Sequence, residues 1–96
     1  MERLCYRDIE VDPRTLQVWQ GGRTVALTPK EAALLAVLIR HRGQTLPRSR
    51  LLVQVWGAPA ALQTRTVDVH IHGLRQKLGL GQALVTVFRV GYRLED

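Results

Sequence analysis

The sequence predicts an α+β domain with a four-stranded antiparallel sheet at its N-terminus, three helices, and a C-terminal β-hairpin. Three observations carry that prediction. Turn-punctuated β-prone runs fill the first 27 positions, apolar residues recur at helical spacing between 28 and 78, and two further β-prone runs close the chain. The 96 residues suit one domain, divided as sheet 1–27, helices 28–78 and hairpin 79–96. At 46% hydrophobic and 23% charged, the composition excludes wholesale disorder and low-complexity fibre.

The N-terminal strand runs are Leu4–Tyr6, Ile9–Val11, Leu16–Trp19 and Thr24–Leu27, with Asp12-Pro13 and Gly21-Gly22 as turns. Paired glycines between β-prone runs signal a hairpin, because tight hairpin turns need positive φ, which glycine adopts without steric cost. The pattern changes at Thr28. Thr28 can cap a helix, Pro29 suits its first position, and Glu31 completes a capping box. Leu34, Leu35, Leu38 and Ile39 form the apolar stripe, Arg40 and Arg42 occupy the last turn, and Gly43 supplies a left-handed terminator. A second helix spans Pro47 to Trp56, with Leu51, Leu52, Val55 and Trp56 on one side and Gly57 at its end. Arg48 and Arg50 at its start oppose the helix dipole, which points to a role other than helix stability. Ala58 to Gln63, with Pro59, form a loop.

Residues 64–78 fit two periods. Val67, Val69 and Ile71 alternate with Asp68, His70 and His72 as in a strand, whereas Val67, Ile71, Leu74 and Leu78 share one sector of a helical wheel. The helix accounts for more residues. Its outer face then carries Arg65, Val69, His72 and Gln76, flanked by Asp68 and Arg75 on one side and His70 and Lys77 on the other. After Gly79-Leu80-Gly81, Leu84–Phe88 and Tyr92–Leu94 form a hairpin with a basic tip at Arg89-Val90-Gly91.

Charge is distributed unevenly. Residues 1–39 balance five basic against five acidic residues, while residues 40–94 hold nine basic residues and the single acid Asp68. A basic half beside a neutral half suggests a polyanion partner, with a merely solvated basic surface as the alternative that charge alone leaves open. Cys5 has no partner for an intramolecular disulfide and is expected as buried packing in a reducing cytoplasm. No apolar run nears the ~20 residues that cross a bilayer, and the N-terminus has no signal-peptide stretch, so a soluble cytoplasmic protein without membrane contact is expected.

Catalytic chemistry finds little footing. Asp68, His70 and His72 would share one face of a strand but diverge on a helix, so no metal site is expected, and nothing calls for a cofactor. Ser49, Cys5 and His41 lack triad partners, no glycine-rich phosphate loop is present, and acids are too few for paired-carboxylate work. An enzyme is not expected.

Two helices, the second with a polar and basic outer face, followed by an arginine-bearing hairpin, are the parts of a winged helix-turn-helix. The major groove of B-DNA is ~12 Å wide and admits one α-helix, whose outward side chains meet base edges while cationic neighbours meet phosphates. The sequence resembles the OmpR/PhoB-type winged-helix effector domain of bacterial two-component response regulators. The resemblance rests on Leu27-Thr28-Pro29-Lys30-Glu31 with Leu34-Leu35, on Arg48 with Leu51-Leu52 and Val55-Trp56-Gly57, on Arg65 to Ile71 with Leu74-Arg75 and Lys77-Leu78, and on Thr86-Val87 with Gly91-Tyr92-Arg93-Leu94. It implies double-stranded DNA as partner, with helix 64–78 in the major groove and wing 84–94 at the adjacent minor groove. It assigns DNA-backbone contacts to Arg48, Trp56, Arg65, His70, Arg75, Thr86 and Tyr92, and turns loop 58–63 toward RNA polymerase. The outer helix face and the wing tip add Val69, His72, Gln76 and Arg89 as base-reading candidates.

The chain departs from the family pattern at three places. Gly73 stands where many members carry a base-reading arginine, Phe88-Arg89 replaces a usual Arg-Gly at the wing, and Pro47 replaces a frequent capping serine. Gly73 and Phe88 motivate an alternative, a winged-helix protein-interaction module with weak or non-specific DNA binding. With no room for the receiver domain that such regulators place upstream, the chain is expected to be an excised effector domain able to dimerise on DNA.

Overall fold

A computed structural model describes residues 2–57 and 63–96 of the chain. Strands β1 (Leu4–Tyr6), β2 (Ile9–Val11), β3 (Val18–Gln20) and β4 (Arg23–Val25) pair antiparallel in sequence order. Tyr6, Ile9, Val11 and Val18 are buried, as period-two alternation over a one-sided sheet requires. That alternation corrects the expectation for Cys5. Lying between Leu4 and Tyr6, it points away from the core and is exposed. Gln20 pairs with Arg23, so Gly21 and Gly22 form a two-residue loop with φ of 59° and 81°, both in the region that such a turn demands.

β3 begins two residues later than expected because Leu16 belongs to the preceding turn. The Asp12 carboxylate accepts the N–H groups of Arg14 (2.8 Å) and Thr15 (3.3 Å), and the Asp12 carbonyl accepts the Leu16 N–H at 2.7 Å. The bond from Arg14, assisted by those from Thr15 and opposed by burial, holds the Asp12 carboxyl below its ordinary range. With Val18↔Val25 as the last pair of that hairpin, Ala26 and Leu27 have no strand partner and β4 stops short of them.

Helix α1 (Pro29–Arg40) starts on the expected capping box. Thr28 Oγ1 accepts the Glu31 N–H at 3.2 Å, and a Glu31 carboxylate oxygen accepts the Thr28 N–H at 2.9 Å. The helix ends at Arg40 with His41 as cap, so Arg42 and Gly43 lie beyond it. Gly43, at φ +82°, instead donates its N–H to the Leu94 carbonyl at 2.7 Å and turns the chain into strand β5 (Leu46–Pro47), which the sequence reading did not contain.

Helix α2 (Arg48–Trp56) follows directly and closes on Gly57 at φ 70°. The ambiguous segment is helical: α3 (Arg65–Leu78) buries Val67, Ile71, Leu74 and Leu78. A short 3-10 turn (Gly81–Ala83) leads into β6 (Leu84–Val87) and β7 (Gly91–Leu94), and the C-terminal sheet runs β5–β7–β6. The wing is therefore a three-stranded sheet, and Phe88 falls in its turn rather than in a strand. β5 passes so close to β7 that a Cβ at Gly91 would overlap the Leu46 carbonyl oxygen. α1 lies at the centre, packed against β1, β2, α2, α3 and β7. Of the loop at 58–63, all but Gln63 lies outside the described residues. Among the described residues, no helix is long and apolar enough to cross a membrane.

Candidate nucleic-acid interface

Both flanks of α3 are braced by side chains, and the braces leave one row of the helix outward. On the wing side, Tyr92 donates its hydroxyl to Asp68 Oδ1 at 2.5 Å, and Arg48 Nε lies 3.4 Å from the same oxygen. Arg75 donates from Nε and Nη2 to the Leu84 carbonyl (3.1 and 2.7 Å) and from Nη2 to Thr86 Oγ1 (2.8 Å). Its guanidinium sits 5.7 Å from the Tyr92 ring centroid. Burial, and then the adjacent Asp68 charge, push the Tyr92 phenol up to about 12, so the group is a neutral donor at physiological pH. Asp68, the sole acid of the basic half, is thus held between a phenol and a guanidinium.

The opposite flank meets α1 and α2. Lys77 Nζ lies 2.7 Å from a carboxylate oxygen of Glu31, a residue only 6% exposed. Burial raises the Glu31 pKa, but the bonds from Lys77 and the Thr28 N–H outweigh it, leaving the carboxyl below its ordinary range. Gly73 faces the same carboxylate, and a Cβ there would overlap it. The glycine thus lies on the α1 side of the outward row, with the Glu31 carboxylate end where its side chain would begin. His70 meets the Trp56 ring edge-on at 4.8 Å and 80°, and its Nδ1 lies 2.8 Å from the Thr66 carbonyl. An acceptor carbonyl calls for an Nδ1–H donor. Gln20 of β3 donates to the Leu78 carbonyl at 2.8 Å and ties down the C-terminal end of α3.

The remaining row, Arg65, Val69, His72 and Gln76, is exposed, with Val69 62% accessible. At ~1.5 Å per residue these four positions extend ~16 Å along the helix axis. Beside them, the first turn of α2 carries Arg48, Ser49 and Arg50 with no acid, and Pro47 offers no side-chain cap, so the positive end of the helix dipole and two guanidinium groups coincide. The Arg48 N–H reaches the Val90 carbonyl at 3.4 Å and joins α2 to the wing turn. In that turn the Val90 N–H bonds the Val87 carbonyl at 3.0 Å, and Arg89 takes φ 63° at the position glycine favours in a type II turn.

The expected site residues thus fall into three groups. Arg65, Val69, His72, Gln76, Thr86 and Arg89 are exposed. Arg48, Trp56, His70 and Arg75 are half-buried, each engaged on one side by the contacts above. Tyr92 is 5% exposed, and its hydroxyl is committed to Asp68. The sequence reading missed Asp68 and Glu31 as the two anchors of α3, since each is paired with an element remote in sequence. Among the described residues, no group of three His, Cys, Asp or Glu side chains is placed to hold a metal.

Comparison with known proteins places this geometry. The family model for the C-terminal domain of transcriptional regulatory proteins matches residues 22–94, from the β3–β4 turn to the end of β7. The chain belongs to that family. The domain is 35% identical over 96 residues to the response regulator protein PmrA of Pseudomonas aeruginosa, covering all of this chain and 43% of the relative. The DNA-binding domain of CpxR from E. coli superposes with a TM-score of 0.88 at 28% identity, over 100% of this chain and 98% of that one. The Klebsiella pneumoniae RstA DNA-binding domain, solved in complex with the RstA box, gives 0.84 at 33% identity over 99% and 98%. This regulatory C-terminal domain thus spans under half the length of relatives such as PmrA. The winged helix-turn-helix fold and the response-regulator resemblance expected from the sequence are both borne out.

Proposed function

We propose that the domain binds double-stranded DNA sequence-specifically, as the transcription-regulating output domain of a two-component response regulator, with α3 in the major groove and the wing at the adjacent minor groove. The observation that carries this reading is the exposed Arg65, Val69, His72 and Gln76 row on a helix braced along both flanks. A preorganised helix presents its side chains to base edges without first paying to order them. Support comes also from the RstA relative, solved with its box, and from the AdeR DNA-binding domain, solved with an intercistronic region at 30% identity and a TM-score of 0.82.

In this reading Val69, His72 and Gln76 meet base edges from α3, and Arg89 does so from the wing. Arg48, Arg65 and the free edge of Arg75 meet phosphates, joined by Thr86, the Trp56 indole N–H and His70. Tyr92 contributes by holding Asp68, and through it Arg48. An upstream receiver domain, pairing of two copies on DNA, polymerase contact through residues 58–63 and a cytoplasmic setting complete the proposal. The protein-interaction alternative is not favoured, because the similar RstA and AdeR domains were solved with DNA.

A panel of duplexes tests the assignment. Changing Arg48 or Arg65 to Ala should weaken all duplexes alike and lower the salt slope by ~0.9 per lost phosphate contact, whereas His72→Ala or Gln76→Ala should shift preference among duplexes by ~1–3 kcal/mol at one position. The opposite pattern overturns the assignment of the helix face.

A further inference from the structure

The wing tip exposes an aromatic ring that the fold does not use. Phe88 is 80% accessible, the most exposed of the large apolar side chains among the described residues, and Val90 beside it is 47% accessible. Thr86 of β6 meets Arg75 of α3, and Phe88 lies in the turn just past the last pair Val87↔Gly91. The Arg89 guanidinium lies 5.2 Å from the Phe88 ring centroid, so the apolar ring and the cation travel together. Arg89 itself adopts φ 63°, a conformation that disfavours side chains other than glycine. Packing explains neither the exposed phenyl group nor the positive φ of the arginine at this tip.

We propose that Phe88 is an apolar wedge. Its ring enters the minor groove beside Arg89, packs on the deoxyribose walls and partly unstacks one base step, bending the duplex away from the wing. The inference rests on the DNA-binding reading above and adds to it a residue and a mechanism. Charge selects the occupant: Arg89 at the tip and Arg48 and Arg50 behind it favour a polyanion over an apolar protein face or a neutral lipid surface. Within DNA, the minor groove draws arginine by its negative potential and accepts apolar side chains as wedges, whereas phosphates offer a phenyl group nothing. The wedge reads deformability rather than hydrogen-bond pattern, so the preferred step at the wing position is a flexible pyrimidine–purine step such as TA or CA.

The test uses the full 96-residue chain with F88A, F88L and F88R variants and duplexes enriched from a random pool by the wild-type chain. The duplexes carry 2-aminopurine at successive wing-side positions and a fluorophore pair at their ends. Wild type should brighten 2-aminopurine at one step and shorten the end-to-end distance, and F88L should keep part of both effects. F88A and F88R should lose both, F88A with at least ~10-fold weaker binding, while thermal midpoints and base preferences along α3 stay unchanged. Equal affinity, bend and brightness for wild type and F88A overturn the wedge and leave the DNA-binding reading standing. Lost affinity in F88A without any wild-type unstacking or bend also overturns it. Failure of the wild-type chain to enrich or bind any duplex removes the DNA-binding reading, and the wedge with it.

Discussion

Replacing Tyr92 by Phe deletes one oxygen from the joint between the recognition helix and the wing. In the native domain that hydroxyl donates to Asp68 Oδ1 at 2.5 Å, and burial followed by the Asp68 charge raises the phenol pKa to about 12. A folded pKa above the unfolded value means that the fold prefers the protonated form. The contribution is therefore complete below pH ~10 and is lost as pH rises through ~12, where the folded phenol ionises. The difference from a free phenol corresponds to roughly 2–3 kcal/mol. A hydrogen bond to a charged acceptor is worth ~1.5–3 kcal/mol on independent grounds, so the two magnitudes agree. Urea unfolding of wild type and Y92F should thus differ by ~2–3 kcal/mol at pH ~8 and converge between pH ~10 and ~12. The two proteins differ only by the Tyr92 hydroxyl, so the difference isolates that group. A gap that stays constant with pH, or a native Tyr92 phenol that ionises near 10 in an absorbance titration, would refute the reasoning.

Other substitutions probe the remaining contacts. Gly91→Ala drives a Cβ into the Leu46 carbonyl, which the β5–β7 pairing holds in place, and should lower stability by ~2–3 kcal/mol in urea unfolding; an unchanged midpoint contradicts the close approach. Glu31 has a depressed folded pKa, so its contribution is present above the ordinary glutamate range and lost as pH falls through the folded value. The stability gap between wild type and E31Q should accordingly narrow as pH drops from ~6 to ~3, and a gap that widens there contradicts the sign. Arg89→Gly relieves the positive φ at the wing tip and should leave stability unchanged or raise it by up to ~1 kcal/mol while weakening duplex binding, so a clear loss of stability would show that the turn carries no strain.

What the sequence made legible follows from where the signal is local. α3 could be distinguished from a strand because Val67, Ile71, Leu74 and Leu78 share one sector, and the same wheel identified both flanks and the outward row. The Thr28 capping box and the Gly21-Gly22 turn are likewise complete within a few residues. β5 left no such trace: it is two residues long, and its partners Gly91 and Tyr92 lie over forty positions away. Flank residues could be named but not their partners, since Asp68 finds Tyr92 of the wing and Lys77 finds Glu31 of the first helix. Nor does the sequence show that the Glu31 carboxylate end sits where a Gly73 side chain would begin. Cys5 was misplaced for a different reason. The alternation of Leu4 and Tyr6 already pointed it outward, and the general tendency of cysteine toward burial was given more weight than that local pattern.

The central claim is that the outward row of α3 and the arginines around it engage a duplex. Its most direct test is the affinity of the wild-type chain for an enriched duplex and for random duplex, measured across a series of salt concentrations. Log affinity should fall linearly with log salt, at ~0.9 per phosphate neutralised, with the enriched duplex bound more tightly throughout. Affinity indifferent to salt, or equal for the two duplexes, would contradict it.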